Sequence, residues 1–241
     1  MIDLSEEPLS ENIAICKKYL ARMSKIGMVL EMELGITGGE EDGVNNEGVK
    51  KEDLYSKPDE IWEVYKELST ISPMFTIAAA FGNVHGVYKA DVDLEPKILS
   101  AAQVYITKKL GDRAPPDGKP VNFVFHGGSG SDLSDIREAL DYGVVKMNID
   151  TDTQWSYWQG CKEHADKYTD YLQTQIGNPE ADDGPNKKYY DPRAWLRAAE
   201  VCTVERLSQG FRDLRSVNIL GLQPVEKAEN VFGPRRGGLP T

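Results

Sequence analysis

The sequence predicts an α/β fold: four parallel strands joined by crossover helices, with further helices at the C-terminal end. Short apolar, β-rich runs recur as MVLEMEL, FTIAAAF, VNFVF and VVKMNID. Between them, apolar residues step by three and four, which is the helical period. Strands that alternate with helices of this length suit parallel βαβ crossovers.

Composition bounds the function. Of 241 residues, 40% are hydrophobic and 28% charged, so a sizeable core can be buried. The net charge of −11 argues against a general nucleic-acid binder, which needs a basic face. It leaves room for a small anionic substrate held by a few local cations. No apolar run approaches the roughly 18 residues of a membrane span, and the opening residues do not read as a signal peptide. Cys16, Cys161 and Cys202 are odd in number and show no C-x-x-C spacing. They read as reduced thiols of a cytoplasmic protein. MIDLSEE reads as the end of a strand running into a helix, with Met1 an internal methionine of a longer parent.

In chain order, Ser5 is the expected cap of a first helix, with Pro8 in its first turn and Gly27 closing it. Met28 to Leu34 is the first strand, with Glu31 and Glu33 on one face. A long polar, Gly-rich loop follows. Asp59 to Ile71 is a helix and Phe75 to Phe81 the second strand. Glu95 to Leu110 is a helix and Val121 to Phe125 the third strand. Ser131 is expected to cap a short helix from Asp132 to Tyr142, before a fourth strand from Val144 to Asp150. A long helix from Thr151 carries Trp155, Trp158, Cys161, Ala165 and Tyr168 at helical spacing. GNPEADDGPNKKYYDPR is expected as a loop, and Trp195 to Arg215 as a helix. Residues 1–220 form the folded part, and 221–241 read as a disordered tail.

The chemistry gathers at strand ends. His85 follows the second apolar run and His126 the third, each with a glycine directly after it. In one parallel sheet both imidazoles would emerge on the same rim, which is the start of a metal site. The alternative is two unrelated loop histidines. The third, His164, lies on a charged helix and is expected to face solvent. HGGSGS before a helix is a candidate phosphate cradle, although tight turns need glycine in any case. Asn148, Asp150 and Thr151 follow the fourth strand at the same rim. Glu31 and Glu33 sit where burial on both faces is expected, so they need partners or a metal; otherwise they meet lysines at a polar strand end. Glu40, Glu41 and Asp42 follow two glycines. They read either as a solvated acidic loop or as a flap carrying a general base.

ELGITGGEEDG, AAFGNVHGVYK, NFVFHGGSGS, VVKMNIDTDTQW and NKKYYDPRAWLR together resemble the class II, zinc-dependent fructose-bisphosphate aldolases, in family order from Met1 to about Leu220. That resemblance implies the C-terminal half of a (β/α)8 TIM barrel. It also implies a lyase of glycolysis and gluconeogenesis acting on sugar phosphates, with no nucleic-acid or membrane partner, and a homodimer in the complete protein. Zinc is the implied cofactor, with a monovalent cation as a further candidate. His85 and His126 then resemble two of three zinc histidines, and Glu33 a glutamate that ligates the metal in a second, buried position. Glu41 resembles the mobile-loop base. Gly86, Lys89, Gly127, Gly128, Ser129, Asn148, Asp150 and Thr151 fall where the family holds the triose phosphate. Arg193 resembles an arginine that reaches the other phosphate from a neighbouring subunit, and is expected to be exposed and without an acid partner. The family's first strands, with the third histidine and an aspartate, would precede Met1. The other reading is a non-catalytic half-barrel that keeps the phosphate loops and serves as an interaction module.

Overall fold

The structure is a computed structural model, and it describes residues 1–41, 44–45, 54–85 and 93–219. The chain divides into two compact units, Met1–Ile149 with the stretch from Asn218, and Asp150–Val217.

The first unit is built on a four-stranded sheet. Its strands are β1 (Leu30–Leu34), β4 (Phe75–Ala79), β6 (Phe123–Phe125) and β7 (Val144–Met147). All neighbours are parallel, in the order β1-β4-β6-β7 that the sequence predicts. Ile2 makes a single parallel bridge to Met32 beside β1, the expected strand stub at the start of the chain. The strands are shorter than predicted: buried Val121, Ala80 and Phe81 lie outside the ladder.

Register sorts the sheet into two faces. Leu30, Met32, Phe75, Ile77, Phe123 and Val144 lie opposite one another across the ladder. On one pleat such residues point the same way. These side chains are buried together with Ile13, Cys16 and Leu20 of α1 (Leu9–Met23), Ile61, Val64 and Leu68 of α2 (Pro58–Ser69), and Leu99, Ala102 and Ile106 of α3 (Lys97–Leu110). This is the apolar core. The opposite pleat carries Glu31 and Glu33 of β1, Thr76 and Ala78 of β4, Val124 of β6 and Lys146 of β7.

Two of the expected serine caps are not formed. The first helix begins at Leu9 after Pro8, not at a Ser5 cap. Ser5 instead donates its N–H and its hydroxyl to Asp3, a local bond that competes with capping. The fourth helix, α4 (Leu133–Asp141), has Asp132 at its N-cap and no side-chain cap. The Ser131 hydroxyl is buried with no hydrogen-bond partner among the described residues. Gly27 does close the first helical segment, in the left-handed region at φ 70°. Part of the long polar loop forms β2 (Gly38–Glu41) and β3 (Val44–Asn45). With β5 (Val84–His85), β2 and β3 make a second small sheet that the sequence did not suggest.

The second unit pairs α5 (Thr151–Lys167) with α7 (Pro192–Asp213). Their contact rests on Gly160, where a Cβ would come within 2.5 Å of the Ala198 carbonyl oxygen. Trp155 and Trp158, at helical spacing on α5, are 59% and 57% exposed. The segment expected as a loop is an antiparallel hairpin, β8 (Ile176–Asn178) and β9 (Ala181–Pro185), with a short helix α6 (Lys187–Tyr190). Fully buried Asn186 pins it by donating to the Thr174 and Gly177 carbonyls and accepting from Asn178. His164 does not face solvent as predicted. It is half-buried, its Nε2 2.7 Å from the Tyr189 carbonyl and its ring against Tyr168. Among the described residues no helix is long and apolar enough to cross a membrane. The tail, 221–241, lies outside the described residues.

Candidate metal and phosphate site

The polar pleat of the first unit gathers its charged groups over small residues. Glu31 and Glu33 project from β1, and His126 follows β6, with β4 between them. On that intervening strand the residue in register with Glu33 is Ala78. A large side chain there would fill the space in which the carboxylates and the imidazole meet.

His126 is 2% exposed and lies between two carboxylates. Its Nε2 is 2.9 Å from Glu31 Oε1, and its Nδ1 is 3.3 Å from Glu33 Oε2. Glu31 Oε2 accepts from Lys146 Nζ at 2.6 Å. Glu33 Oε1 accepts from the Thr37 hydroxyl at 2.8 Å. Burial alone would raise the Glu31 carboxyl, but the hydrogen bonds from His126 and Lys146 outweigh it and hold the group at about 2. Burial alone would lower the His126 imidazole, but hydrogen bonds to Glu31 and Glu33 outweigh it and raise the group to about 9. Both alternatives for the paired glutamates thus contain part of the answer. Glu31 does meet a lysine, and both carboxylates also meet a buried histidine.

The turn after His126 is shaped by backbone. Gly127 has φ +63°, and a Cβ there would lie 2.3 Å from the Val84 carbonyl oxygen of β5. Gly128 donates its N–H to the Asn148 carbonyl, so the loops after β6 and β7 touch. Ser129 is buried beside them. Asn83, 1% exposed, donates to the His126 carbonyl and accepts from the Phe81 N–H, tying the second His-Gly turn to the first. β2 runs parallel to β5 with Gly39 opposite His85, so the backbone of Glu41 lies on the strand beside His85. The side chains of Glu41 and His85, and the whole of Gly86 and Lys89, lie outside the described residues.

Asp150 and Thr151 open α5 in the second unit, where the Asp150 carboxylate accepts from Gln154. Arg193 is exposed, as expected, but has an acid partner, contrary to expectation. Its guanidinium donates through two nitrogens to Asp191 at 2.9 and 2.6 Å. Asp191 is also the N-cap of α7, where it accepts the Arg193 N–H, so the capping residue and the cation are two positions apart. Sequence reasoning did not single out Thr37, Asn83 or Lys146. Asn83 lies inside the quoted GNVHG run, and Lys146 is the one polar residue in VVKM.

The donor set can be compared with what a zinc ion requires. Two donors of a tetrahedral zinc ion at about 2.0–2.1 Å stand roughly 3.3–3.5 Å apart. His126 Nδ1 and Glu33 Oε2 have that separation. They fit as two ligands of one ion, in chemistry and in spacing. Among the described residues no group of three or more His, Cys, Asp or Glu is placed to hold a metal.

A parallel sheet that delivers a buried imidazole, two carboxylates and a glycine turn to its strand ends belongs to the α/β proteins that build their sites at the carboxyl ends of strands. The family model for class-II fructose-bisphosphate aldolase matches residues 1–219, and the chain belongs to that family. A fructose-bisphosphate aldolase of Edwardsiella ictaluri is 59% identical over 221 residues, covering 91% of this chain and 61% of that protein. A fructose-bisphosphate aldolase class 2 of Escherichia coli K12 is 56% identical, covering 91% of this chain and 60% of that protein. The crystal structure of a fructose-bisphosphate aldolase from Campylobacter jejuni matches with a TM-score of 0.78 at 52% identity, covering 90% of this chain and 60% of that one. The chain thus spans about 60% of the length of the relatives it matches.

Proposed function

We propose that this chain carries part of a zinc-dependent aldolase site, for reversible cleavage of fructose 1,6-bisphosphate to dihydroxyacetone phosphate and glyceraldehyde 3-phosphate. The observation that carries the reading is the buried pair of His126 Nδ1 and Glu33 Oε2 at 3.3 Å, in a member of this family. His126 and Glu33 would hold the ion, with His85 as a further ligand. Bound zinc supplies a Lewis acid that polarises the ketone oxygen. The chain's own groups do the rest. Glu41, on the strand beside His85, takes and returns the C1 proton. Gly86, Lys89, Gly127, Gly128, Ser129, Asn148, Asp150 and Thr151 hold the triose phosphate through backbone N–H groups and short polar side chains. Arg193 binds the second phosphate in a neighbouring subunit of a homodimer, exchanging the Asp191 carboxylate for phosphate oxygens of similar geometry. Residues 1–220 are assigned to this barrel segment, and the protein to the cytoplasm.

A second reading rests on the glycine turn after His126 and its contact with the Asn148 carbonyl: a half-barrel that binds phosphates without turnover. Aldol cleavage should be assayed in the purified chain with zinc and with a chelator, beside calorimetric titration of zinc and of dihydroxyacetone phosphate. Zinc-dependent cleavage supports the first reading. Phosphate binding without cleavage supports the second. A chain that binds neither zinc nor the triose phosphate overturns both.

A further inference from the structure

The geometry points to Glu31 and Lys146 as positioning residues that fix how His126 presents itself to a metal, so that His126 ligates through Nδ1 and not Nε2. This rests on the metal reading given above. Register places Glu31, Val124 and Lys146 on one pleat of the sheet, spanning four strands. Across that pleat Lys146 Nζ reaches Glu31 Oε2 at 2.6 Å, and Glu31 Oε1 reaches His126 Nε2 at 2.9 Å. Nε2 faces the Glu31 carboxylate, whose other oxygen Lys146 holds, and Nδ1 faces Glu33, the carboxylate that would share the ion, so Nδ1 is the nitrogen turned toward the cation. A carboxylate behind a ligating histidine sets its ring orientation and raises its basicity. Here that carboxylate is itself pinned. Lys146 occupies one Glu31 oxygen, which leaves the other aimed at the ring.

The chain of contacts makes Lys146 unusual for a half-exposed lysine. Its side chain is 51% exposed, yet its ammonium is committed to a glutamate whose side chain is 11% exposed. An exposed ion pair is ordinarily worth little. This pair instead acts on the orientation of a neighbouring imidazole, a role in which a small energy fixes a geometry. Arginine at position 146 would preserve it, since a guanidinium also donates to a carboxylate oxygen.

The test uses the full chain, nitrogen-15 labelled at histidine and loaded with cadmium-113. One-bond cadmium–nitrogen coupling should appear at His126 Nδ1, with a proton on Nε2. Glu31→Ala should lower cadmium affinity about 10- to 100-fold. Lys146→Met should lower it in the same direction by less, and Lys146→Arg should restore it. Thermal melts establish that each variant is folded. If Glu31→Ala does not fold, the Lys146 pair and the coupling in the unaltered chain decide. Coupling through Nε2 overturns the inference and leaves the metal reading standing. So does Nδ1 coupling with affinities unmoved by Glu31→Ala and Lys146→Met. A chain that binds no cadmium and no zinc removes the metal reading, and this inference with it.

Discussion

Glu31 and His126 are 95 positions apart in sequence, yet Glu31 Oε1 and His126 Nε2 meet at 2.9 Å in the buried centre of the polar pleat. Two carboxylates are held out of water there by one imidazole and one lysine. Removing the imidazole leaves buried charge uncompensated. In the metal-free chain His126→Ala should therefore cost about 3–5 kcal/mol, read from urea unfolding. A loss below about 1 kcal/mol would mean that water or another cation replaces the ring.

Asn12 carries a second buried polar junction. Its Nδ2 donates to the Leu4 and Glu33 carbonyls, and its Oδ1 accepts from the Cys16 thiol. It joins α1 to β1 just behind Glu33. Asn12→Leu removes both donors while keeping the volume, and should cost about 1–3 kcal/mol for the carbonyls left unpaired. Urea midpoints measure it, and an unchanged midpoint would mean that the carbonyls find other donors.

Gly127→Ala should be more damaging than an alanine elsewhere in the same loop. The position is left-handed, and the new methyl would meet the Val84 carbonyl at 2.3 Å. Backbone strain of this kind costs on the order of 1–3 kcal/mol before the collision is counted. Gly130→Ala, at φ 76°, shares the strain and serves as the reference. Equal destabilisation of the two would show that the approach to β5 contributes nothing.

Cys16 should be the slow thiol. It is fully buried, and burial pushes it up to about 11. Because its folded value lies above its unfolded one, the neutral thiol contributes stability that is present below about 8.5 and lost as pH rises through the folded value. Cys161 and Cys202 are half-buried. A thiol-reactive dye at pH 8 should label those two first, and Cys16 at the rate of unfolding. Rapid labelling of all three would contradict the packing of α1.

On the acid side, the Lys17–Glu67 pair joins α1 to α2 at 2.7 Å. The hydrogen bond from Lys17 holds the Glu67 carboxyl below its usual range. A depressed carboxyl contributes stability above the unfolded value near about 4.3, lost as pH falls through the folded one. Both side chains are about a third exposed, so the contribution is at most about 1 kcal/mol. Lys17→Met should flatten the stability profile between about pH 5 and 3 by that amount; an identical profile would assign the slope to other carboxylates.

The sequence by itself determined the elements of the main sheet and their order. Alternating apolar and polar residues, helical spacing and glycine at turns are local properties, so four parallel strands, their helices and the His-Gly turns were legible. The family was legible for the same reason, because its motifs are contiguous runs. What the tertiary structure alone decided is pairing across the sheet. Nothing local to Glu31 says that its partners are His126 and Lys146, because register between strands sets which side chains share a pleat, and Ala78 leaves the room for them to meet. The exposed cation of Arg193 was misjudged on the shortest scale of all. Asp191 was read as part of a loop, but a helix begins there, and the cap that starts it brings the carboxylate onto the guanidinium. Trp155 and Trp158 mark the opposite limit. Their spacing is helical, but spacing does not say what a face packs against; in α5 the buried positions are Ser156 and Gly160, and at Gly160 two backbones approach too closely for a larger side chain.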